Sequence, residues 1–146
     1  MRLLLFIITI CFVSASDIRV MTYNLLNFSD DDNREMHYIS ILESVLPDLI
    51  VVQEVVGQTG FTHFQSDVLD VFENGQWSGA PFLNQSAQQD IALFFKHDIF
   101  SFISTGAVGT AQSSGTRDVI EWTMVHNMSE IEFAIYGCLL YTSDAA

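Results

Sequence analysis

The order of apolar and polar positions predicts a layered arrangement of strands and helices. Residues 18–23 alternate apolar with polar or small side chains, as a strand with one exposed face does. Residues 34–46 repeat their apolar side chains at helical spacing and end before Pro47, which stops a helix. Residues 49–52 form a continuous aliphatic run, typical of a strand buried on both faces. Strand, helix and strand in this order predict the start of a layered α/β fold.

The remainder of the chain predicts one more helix and then mainly strands. Residues 61–72 have one apolar face at helical spacing, and Asn74 and Gly75 are expected to end this helix. A flexible loop rich in small residues is predicted at 106–116, and a hairpin turn at 127–129. The predicted strands are a short one at 82–83 and longer ones at 91–95, 100–103, 119–125 and 131–136.

The first sixteen residues have the layout of a secretory signal peptide. Met1 and Arg2 give a positive start, residues 3–13 are apolar apart from one threonine, and small residues follow. We expect cleavage after Ala15 or Ser16 and a secreted or periplasmic mature chain. The apolar run is too short to span a bilayer, so we expect no stable membrane span in the mature chain. The alternative is a buried N-terminal strand or helix.

Charge narrows the classes of function. The 146 residues carry a formal net charge of −13 and five lysines and arginines in all. A passive nucleic-acid-binding module usually shows a basic patch, and five basic residues in so acidic a chain argue against such a module. An acidic protein can still bind a phosphodiester if a divalent cation bridges the two. Removal of the leader would leave Cys138 as the remaining cysteine, so we expect no internal disulfide.

Three polar positions follow or precede predicted strands. Asn24 follows the first strand, Glu54 ends the second, and Arg117 precedes a late one. Ligands of α/β sheets gather at the ends of neighbouring strands, so the Asn24 amide and the Glu54 carboxylate can converge. The hard, anionic oxygens of Glu54 suit Mg²⁺. Each residue taken alone has a plainer explanation, as a turn, a capping carboxylate or a surface charge.

Taken together, these motifs resemble a known family. IRVMTYNLLNF at 18–28 and PDLIVVQEV at 47–55 look like the opening of the endonuclease/exonuclease/phosphatase superfamily, which includes DNase I. QDIALFFK at 89–96 resembles its central strand, and residues 116–136 resemble the strand pair before its first catalytic histidine. The resemblance implies an α+β fold: a DNase I-like four-layered α/β sandwich, about half present in 17–137 and incomplete at the C-terminus.

The resemblance also implies roles for four residues. Asn24 would lie near the scissile phosphate, and Glu54 would bind Mg²⁺, with Mn²⁺ as a possible substitute. Arg117 would bind substrate phosphate, and Asp90 is the available carboxylate for orienting a catalytic histidine. The implied activity is hydrolysis of phosphodiester bonds, preferably in DNA or RNA. A sphingomyelinase-type or phosphatase-type member is the runner-up, and we expect a monomer when the protein is complete.

The end of the chain departs from the family pattern. The strand ending near Tyr136 should run into a histidine, yet Cys138 and Leu139 follow, and the later Asp-x-Asn and Asp-His motifs are missing. Residues 138–146, CLLYTSDAA, resemble a translated sequencing adapter, so we expect a non-native tail. A natural short C-terminus is the alternative. We expect the chain as written to be inactive and to fold poorly or aggregate, because half a sandwich leaves open sheet edges.

Two further expectations concern aromatic side chains. The histidines lie outside the motifs and are expected to be surface or packing residues: His37, His63, His97 and His126. A non-catalytic secreted α/β binding module, using exposed aromatics such as Trp77 and Phe82, is the alternative from a different class of function.

Overall fold

The structure is a computed structural model that describes residues 17–30, 33–85, 89–109 and 118–139. The expected signal peptide and most of the expected tail therefore lie outside the described residues. In chain order the elements are β1 (Val20–Phe28), α1 (Glu35–Val45), β2 (Leu49–Val55), α2 (Gly57–His63), a π-helix (Phe64–Leu69), α3 (Asp70–Phe72), β3 (Trp77–Gly79), β4 (Asp90–Lys96), β5 (Phe100–Val108), β6 (Val119–His126) and β7 (Ile131–Gly137).

The strands form two sheets. The first has the order β1-β2-β4-β3, in which β1 and β2 run parallel and the other neighbours are antiparallel. The second is an antiparallel sheet of order β5-β6-β7. Helix α1 is the crossover connection between β1 and β2. Because these two strands are parallel neighbours, their carboxyl ends lie at the same edge of the first sheet.

Helix α1 agrees with the sequence prediction to within a residue at each end. Leu46 stops it in the left-handed region at φ 52°, where its N–H bonds to the carbonyl of Leu42 at 2.7 Å. Pro47 then prevents any continuation of the helix. Tyr38 and Leu42 are buried, so this face of the helix packs on the first sheet.

The second predicted helix begins four residues early and contains a π-helical stretch. α2, the π-helix and α3 follow each other without a break, since the residues at their junctions have right-handed helical angles. Gly60 is the point of closest approach: a Cβ placed there would lie 2.6 Å from the carbonyl oxygen of Phe28. The absence of a side chain at Gly60 therefore lets α2 pack directly on the end of β1.

The first sheet is buried on both faces, which explains the uninterrupted apolar run in β2. Ile50 and Val52 face the helices, whereas Leu49 and Val51 face the second sheet, where Trp122 is also buried. The result is a stack of helices, sheet and sheet. Within the described ranges, no helix covers the outer face of the second sheet.

Three strand predictions need correction. Asn24 was expected to follow the first strand, but β1 includes Asn24 and continues to Phe28 across a break in its pairing with β2. Residues 82–83 are not a strand; instead Trp77–Gly79 forms β3, pairing with the end of β4. Trp77 is 3% exposed, so burial of its indole decides which segment joins the sheet. β5 also continues to Val108, into the predicted loop, because backbone pairing with β6 does not depend on large side chains. No helix of the described part is long and apolar enough to cross a membrane.

Candidate active site

Asn24 and Glu54 meet where the regular pairing of β1 with β2 breaks off. The strand register pairs Asn24 with Gln53, the residue just before Glu54. The amide nitrogen Nδ2 of Asn24 donates a hydrogen bond of 2.9 Å to Oε1 of Glu54. Asn24 is exposed and Glu54 is half-buried, so the pair is open to solvent. The structure thus brings together the two side chains that the sequence placed at neighbouring strand ends.

Glu54 is an extra residue inserted in its strand. The ladder between β2 and β4 pairs Gln53 with Ile91 and Val55 with Asp90, and so skips Glu54. Its φ of 61° lies in the left-handed region, which costs a side-chain-bearing residue about 1–2 kcal/mol. A bulge of this kind bends a strand and changes the direction of a side chain. Here it accompanies the contact between the Glu54 carboxylate and β1.

The amide of Asn24 is held in one orientation. Its Oδ1 accepts a hydrogen bond of 2.8 Å from the backbone N–H of Leu26. Leu26 and Asn27 follow with φ values of 51° and 57°, and the pairing of β1 with β2 is interrupted between Asn24 and Phe28. Because the oxygen is engaged by Leu26, the NH₂ group faces Glu54. An amide nitrogen with two N–H donors can hold a carboxylate and also reach a phosphate oxygen.

Asp90 lies in the interior at the same end of the first sheet. It starts β4 opposite Val55, beside the bulge, and is 1% exposed. Its Oδ1 accepts the backbone N–H of Gln85 at 3.0 Å, and Gln85 Nε2 donates to the carbonyl of Asp118 at 3.2 Å. Gln85 could not be predicted as part of this site, since it lies in a stretch without periodicity. The role of Asp90 in orienting a histidine stays a prediction.

Arg117 lies outside the described residues, so its role as a phosphate ligand also stays a prediction. The described chain resumes at Asp118, one residue later. Because Gln85 binds the carbonyl of Asp118, the start of β6 is tied to the loop that also holds Asp90. The sequence neighbour of Arg117 is therefore fixed close to the buried carboxylate.

A pocket of about 270 Å³ opens beside Asn24, between the end of β1 and the start of α1. Its lining includes Arg34 and His37, neither of which was predicted to be a site residue. Nη2 of Arg34 donates 2.9 Å to the carbonyl of Leu26, so the turn after Asn24 positions the guanidinium. The sequence signal that could have indicated Arg34 is a basic residue shortly after a candidate asparagine in a strongly acidic chain.

Three of the four histidines agree with the expected surface or packing role. His63 lies between two carboxylates of the helices, each 2.8 Å from a ring nitrogen. His97 and His126 each bond to a nearby turn at 2.7 Å. His37 is exposed, as expected, but it lines the pocket beside Asn24.

No protein-family model matches the chain, and no curated protein matches it. Solved structures do match. TDP2 of D. rerio, complexed with a single-strand DNA product, superposes with a TM-score of 0.64 at 12% identity, over 88% of this chain and 48% of that one. The human Nocturnin catalytic domain with bound sulfate gives 0.57 at 20% identity, over 88% and 51%. The mannosyl-6-phosphatase of Bacteroides thetaiotaomicron gives 0.59 at 16%, over 82% and 50%.

The chain has the fold of the endonuclease/exonuclease/phosphatase superfamily. It spans about half the length of the solved chains it matches. The expected α+β, DNase I-like sandwich with about half of its length present is therefore confirmed.

Asn24 and Glu54 carry oxygen atoms of the kind that Mg²⁺ binds in proteins. No group of three or more His, Cys, Asp and Glu side chains in the described part is arranged to hold a metal. Mg²⁺ is usually held by one or two carboxylates and keeps several water or phosphate ligands. The single carboxylate of Glu54, held by Asn24, fits that requirement.

Proposed function

We propose that this chain carries one side of the active site of a secreted, Mg²⁺-dependent phosphodiesterase that hydrolyses DNA or RNA. The observation that carries the proposal is the Asn24–Glu54 pair at the bulged end of β2, in a fold of this superfamily. The single-strand DNA product in the similar TDP2 structure supports a nucleic-acid substrate. The chain as written is inactive, because the sequence motifs that would supply the catalytic histidine and aspartates are missing.

Each proposed site residue has one task. Glu54 holds the metal, and Asn24 orients the Glu54 carboxylate and contacts a phosphate oxygen. Arg117 binds substrate phosphate, while Asp90 orients a histidine supplied by the rest of the protein. When bound, Mg²⁺, or Mn²⁺ in its place, neutralises negative charge on the phosphoryl oxygens and lets an acidic protein approach its substrate.

Metal binding by this chain tests the role of Glu54 directly. We expect Glu54→Gln to weaken Mn²⁺ binding, followed by electron paramagnetic resonance, by more than the roughly tenfold loss expected for Asn24→Ala, which removes only a supporting group. Glu43→Gln removes the same charge from an exposed position on α1 and should leave binding unchanged. Equal affinity in Glu54→Gln and Glu43→Gln would show that Glu54 is not a ligand.

The two ends of the chain need separate tests. We propose that residues 1–16 are an export signal, so an exporting host should release a chain that starts at Ser16 or Asp17. We also propose that residues 138–146 are not native. The source DNA read across the codon for Gly137 should continue into a histidine-containing strand end and later Asp-x-Asn and Asp-His motifs. A confirmed stop after Ala146 would remove the catalytic proposal for this protein.

A phosphatase acting on a small ester is the second candidate, supported by the similar mannosyl-6-phosphatase. A nitrophenyl phosphate monoester and a bis-nitrophenyl diester, offered to the extended protein, would separate the two activities. The binding-module alternative loses support, because Trp77 is buried and Phe82 is half-buried, whereas both were expected to be exposed. Trp77 is 3% exposed and donates to Glu73 at 3.1 Å, and Phe82 packs on Phe61 with ring centroids 5.1 Å apart.

A further inference from the structure

The pocket beside Asn24 combines a cation, aromatic rings and an amide in one space of about 270 Å³. The guanidinium of Arg34 and the imidazole of His37 come from the start of α1, and the ring of Tyr23 comes from β1. Because Asn24 itself lines the pocket, a molecule bound there lies next to the Asn24–Glu54 pair.

The position of Arg34 sets it apart from the other cations. With a formal net charge of −13, the molecule offers a polyanion no general attraction, so particular cations must hold it. Lys96 ends β4 at the opposite end of the first sheet, 3.0 Å from Oε2 of Glu73 and 3.5 Å from Oδ1 of Asp48. Arg19 donates to the carbonyl of Val45, at the opposite end of β1. Of the described lysines and arginines, Arg34 alone lines the pocket at the carboxyl end of β1.

The structure also positions the guanidinium of Arg34. It donates 2.9 Å to the carbonyl of Leu26, and its Cζ lies 5.6 Å from the centre of the Tyr38 ring. The Tyr38 hydroxyl in turn donates 2.9 Å to the carbonyl of Leu25. Guanidinium groups can stack on an aromatic ring and bind phosphate oxygens with parallel N–H bonds.

We propose that this pocket binds the nucleotide next to the scissile phosphate of a single-stranded nucleic acid. Arg34 binds the phosphate of that nucleotide, and the rings of Tyr23 and His37 contact its base, since aromatic side chains stack on bases of any sequence. The proposal rests on the proposed phosphodiesterase function and names the substrate class of that site. It gives an acidic chain a specific way to hold a polyanion beside Glu54.

The test measures how tightly the chain binds a short fluorescein-labelled single-stranded DNA in Mg²⁺, by anisotropy at several salt concentrations. We expect Arg34→Ala to weaken binding about tenfold and to reduce the slope of log affinity against log salt by about 0.7, the value for one phosphate contact on a single strand. Arg19→Ala removes the same charge outside the pocket and should change neither quantity. Equal behaviour of the two variants would overturn the proposal.

Two further variants separate loss of a specific contact from loss of folding or of charge. Arg34→Lys keeps the charge if Arg34→Ala fails to fold, and it should retain the salt slope while losing affinity, because lysine lacks the planar fork. His37→Ala should weaken binding of the DNA but not of an abasic strand of the same length. Equal losses on both strands, or none on either, would show that His37 does not contact a base.

The two proposals can fail separately. If Glu54→Gln loses metal affinity while Arg34→Ala and Arg19→Ala bind DNA alike, the metal site stands and the nucleotide pocket is wrong. If Arg34→Ala weakens DNA binding while Glu54→Gln binds Mn²⁺ like the parent chain, the pocket binds nucleic acid and the phosphodiesterase proposal is wrong.

Discussion

Glu54 occupies a backbone conformation that its side chain does not favour. A left-handed φ is normally given to glycine, because a Cβ crowds the following carbonyl oxygen. Leu46 shares this conformation, with φ 52° against 61° for Glu54, but it only ends helix α1. A strained residue that carries a carboxylate to the end of two parallel strands suits selection for binding rather than for stability.

The first prediction compares Glu54→Gly with Leu46→Gly. Each substitution relieves a left-handed side chain, so each should raise the free energy of unfolding in metal-free buffer, by about 0.5–1 kcal/mol. Only Glu54→Gly should also abolish Mg²⁺ binding. Urea unfolding and calorimetric Mg²⁺ titration check the two effects. If Glu54→Gly lowers stability while Leu46→Gly raises it, the carboxylate serves the fold and not a metal.

At the scale of elements, the contact between α2 and the end of β1 depends on Gly60. Phe28 O accepts the backbone N–H of Val56 at 2.8 Å, and a Cβ on Gly60 would lie 2.6 Å from the same oxygen. The obstacle is backbone, which cannot move aside as a flexible side chain can. The helix start and the site-bearing strand are therefore fixed to each other by one small residue.

Gly60→Ala should accordingly lower the free energy of unfolding by about 1–3 kcal/mol, the usual cost of overpacking. Gly106→Ala is the matched control, because a Cβ there meets nothing within 4 Å and its backbone needs no positive φ. Urea midpoints of the two variants give the comparison. A loss in Gly60→Ala no larger than in Gly106→Ala would mean that α2 can shift without cost.

A cross-strand pair links β6 and β7 on their exposed face. Tyr136 stands opposite Glu121, whose hydrogen bond and negative charge raise the pKa of the Tyr136 phenol above its ordinary value. A raised pKa in the folded state means that this contact stabilises the fold below the ordinary pKa of tyrosine. The contribution is lost as the pH rises through the raised pKa.

Glu121→Gln should therefore lower the pKa of Tyr136 toward its ordinary value. An alkaline titration that follows phenolate absorbance measures the change, and Tyr136→Phe identifies which part of the titration belongs to this residue. The parent chain should also lose stability more steeply than Glu121→Gln at alkaline pH. An identical phenolate titration in both chains would show that the pair does not form in solution.

Sequence periodicity predicted the elements that have long, regular patterns and clear ends. α1 is one, because its apolar face and Pro47 fix both its register and its end. β3 was missed because three residues carry no period and only the burial of Trp77 selects them. The convergence of Asn24 and Glu54 was predicted from strand ends, but the bulge was not, since φ at one residue has no sequence signal. Arg34 was missed because it belongs to no motif, and only the folded structure places it beside β1.

At the scale of the molecule, helices cover the first sheet, whereas no helix of the described residues covers the outer face of the second sheet. The first sheet is buried between helices and strands, while β7 is an edge strand with Ile131 62% exposed. An apolar hollow of about 340 Å³ lies between the sheets, lined by Ile131, Val20 and Phe133 among others. Edge strands with exposed apolar side chains favour pairing with another chain.

The last prediction is that residues 17–137 self-associate through this edge. Ile131→Lys places a charge on the edge strand and at the hollow, which should raise the monomer fraction in sedimentation velocity runs at several concentrations. Met128→Lys adds the same charge at the hairpin turn, where Met128 is 73% exposed, and should leave association unchanged. A chain of residues 17–137 that is monomeric and unfolds in one cooperative thermal transition would contradict the prediction. It would show that the apolar clusters on the two faces of the first sheet suffice for a stable fold, although no described helix covers the second sheet.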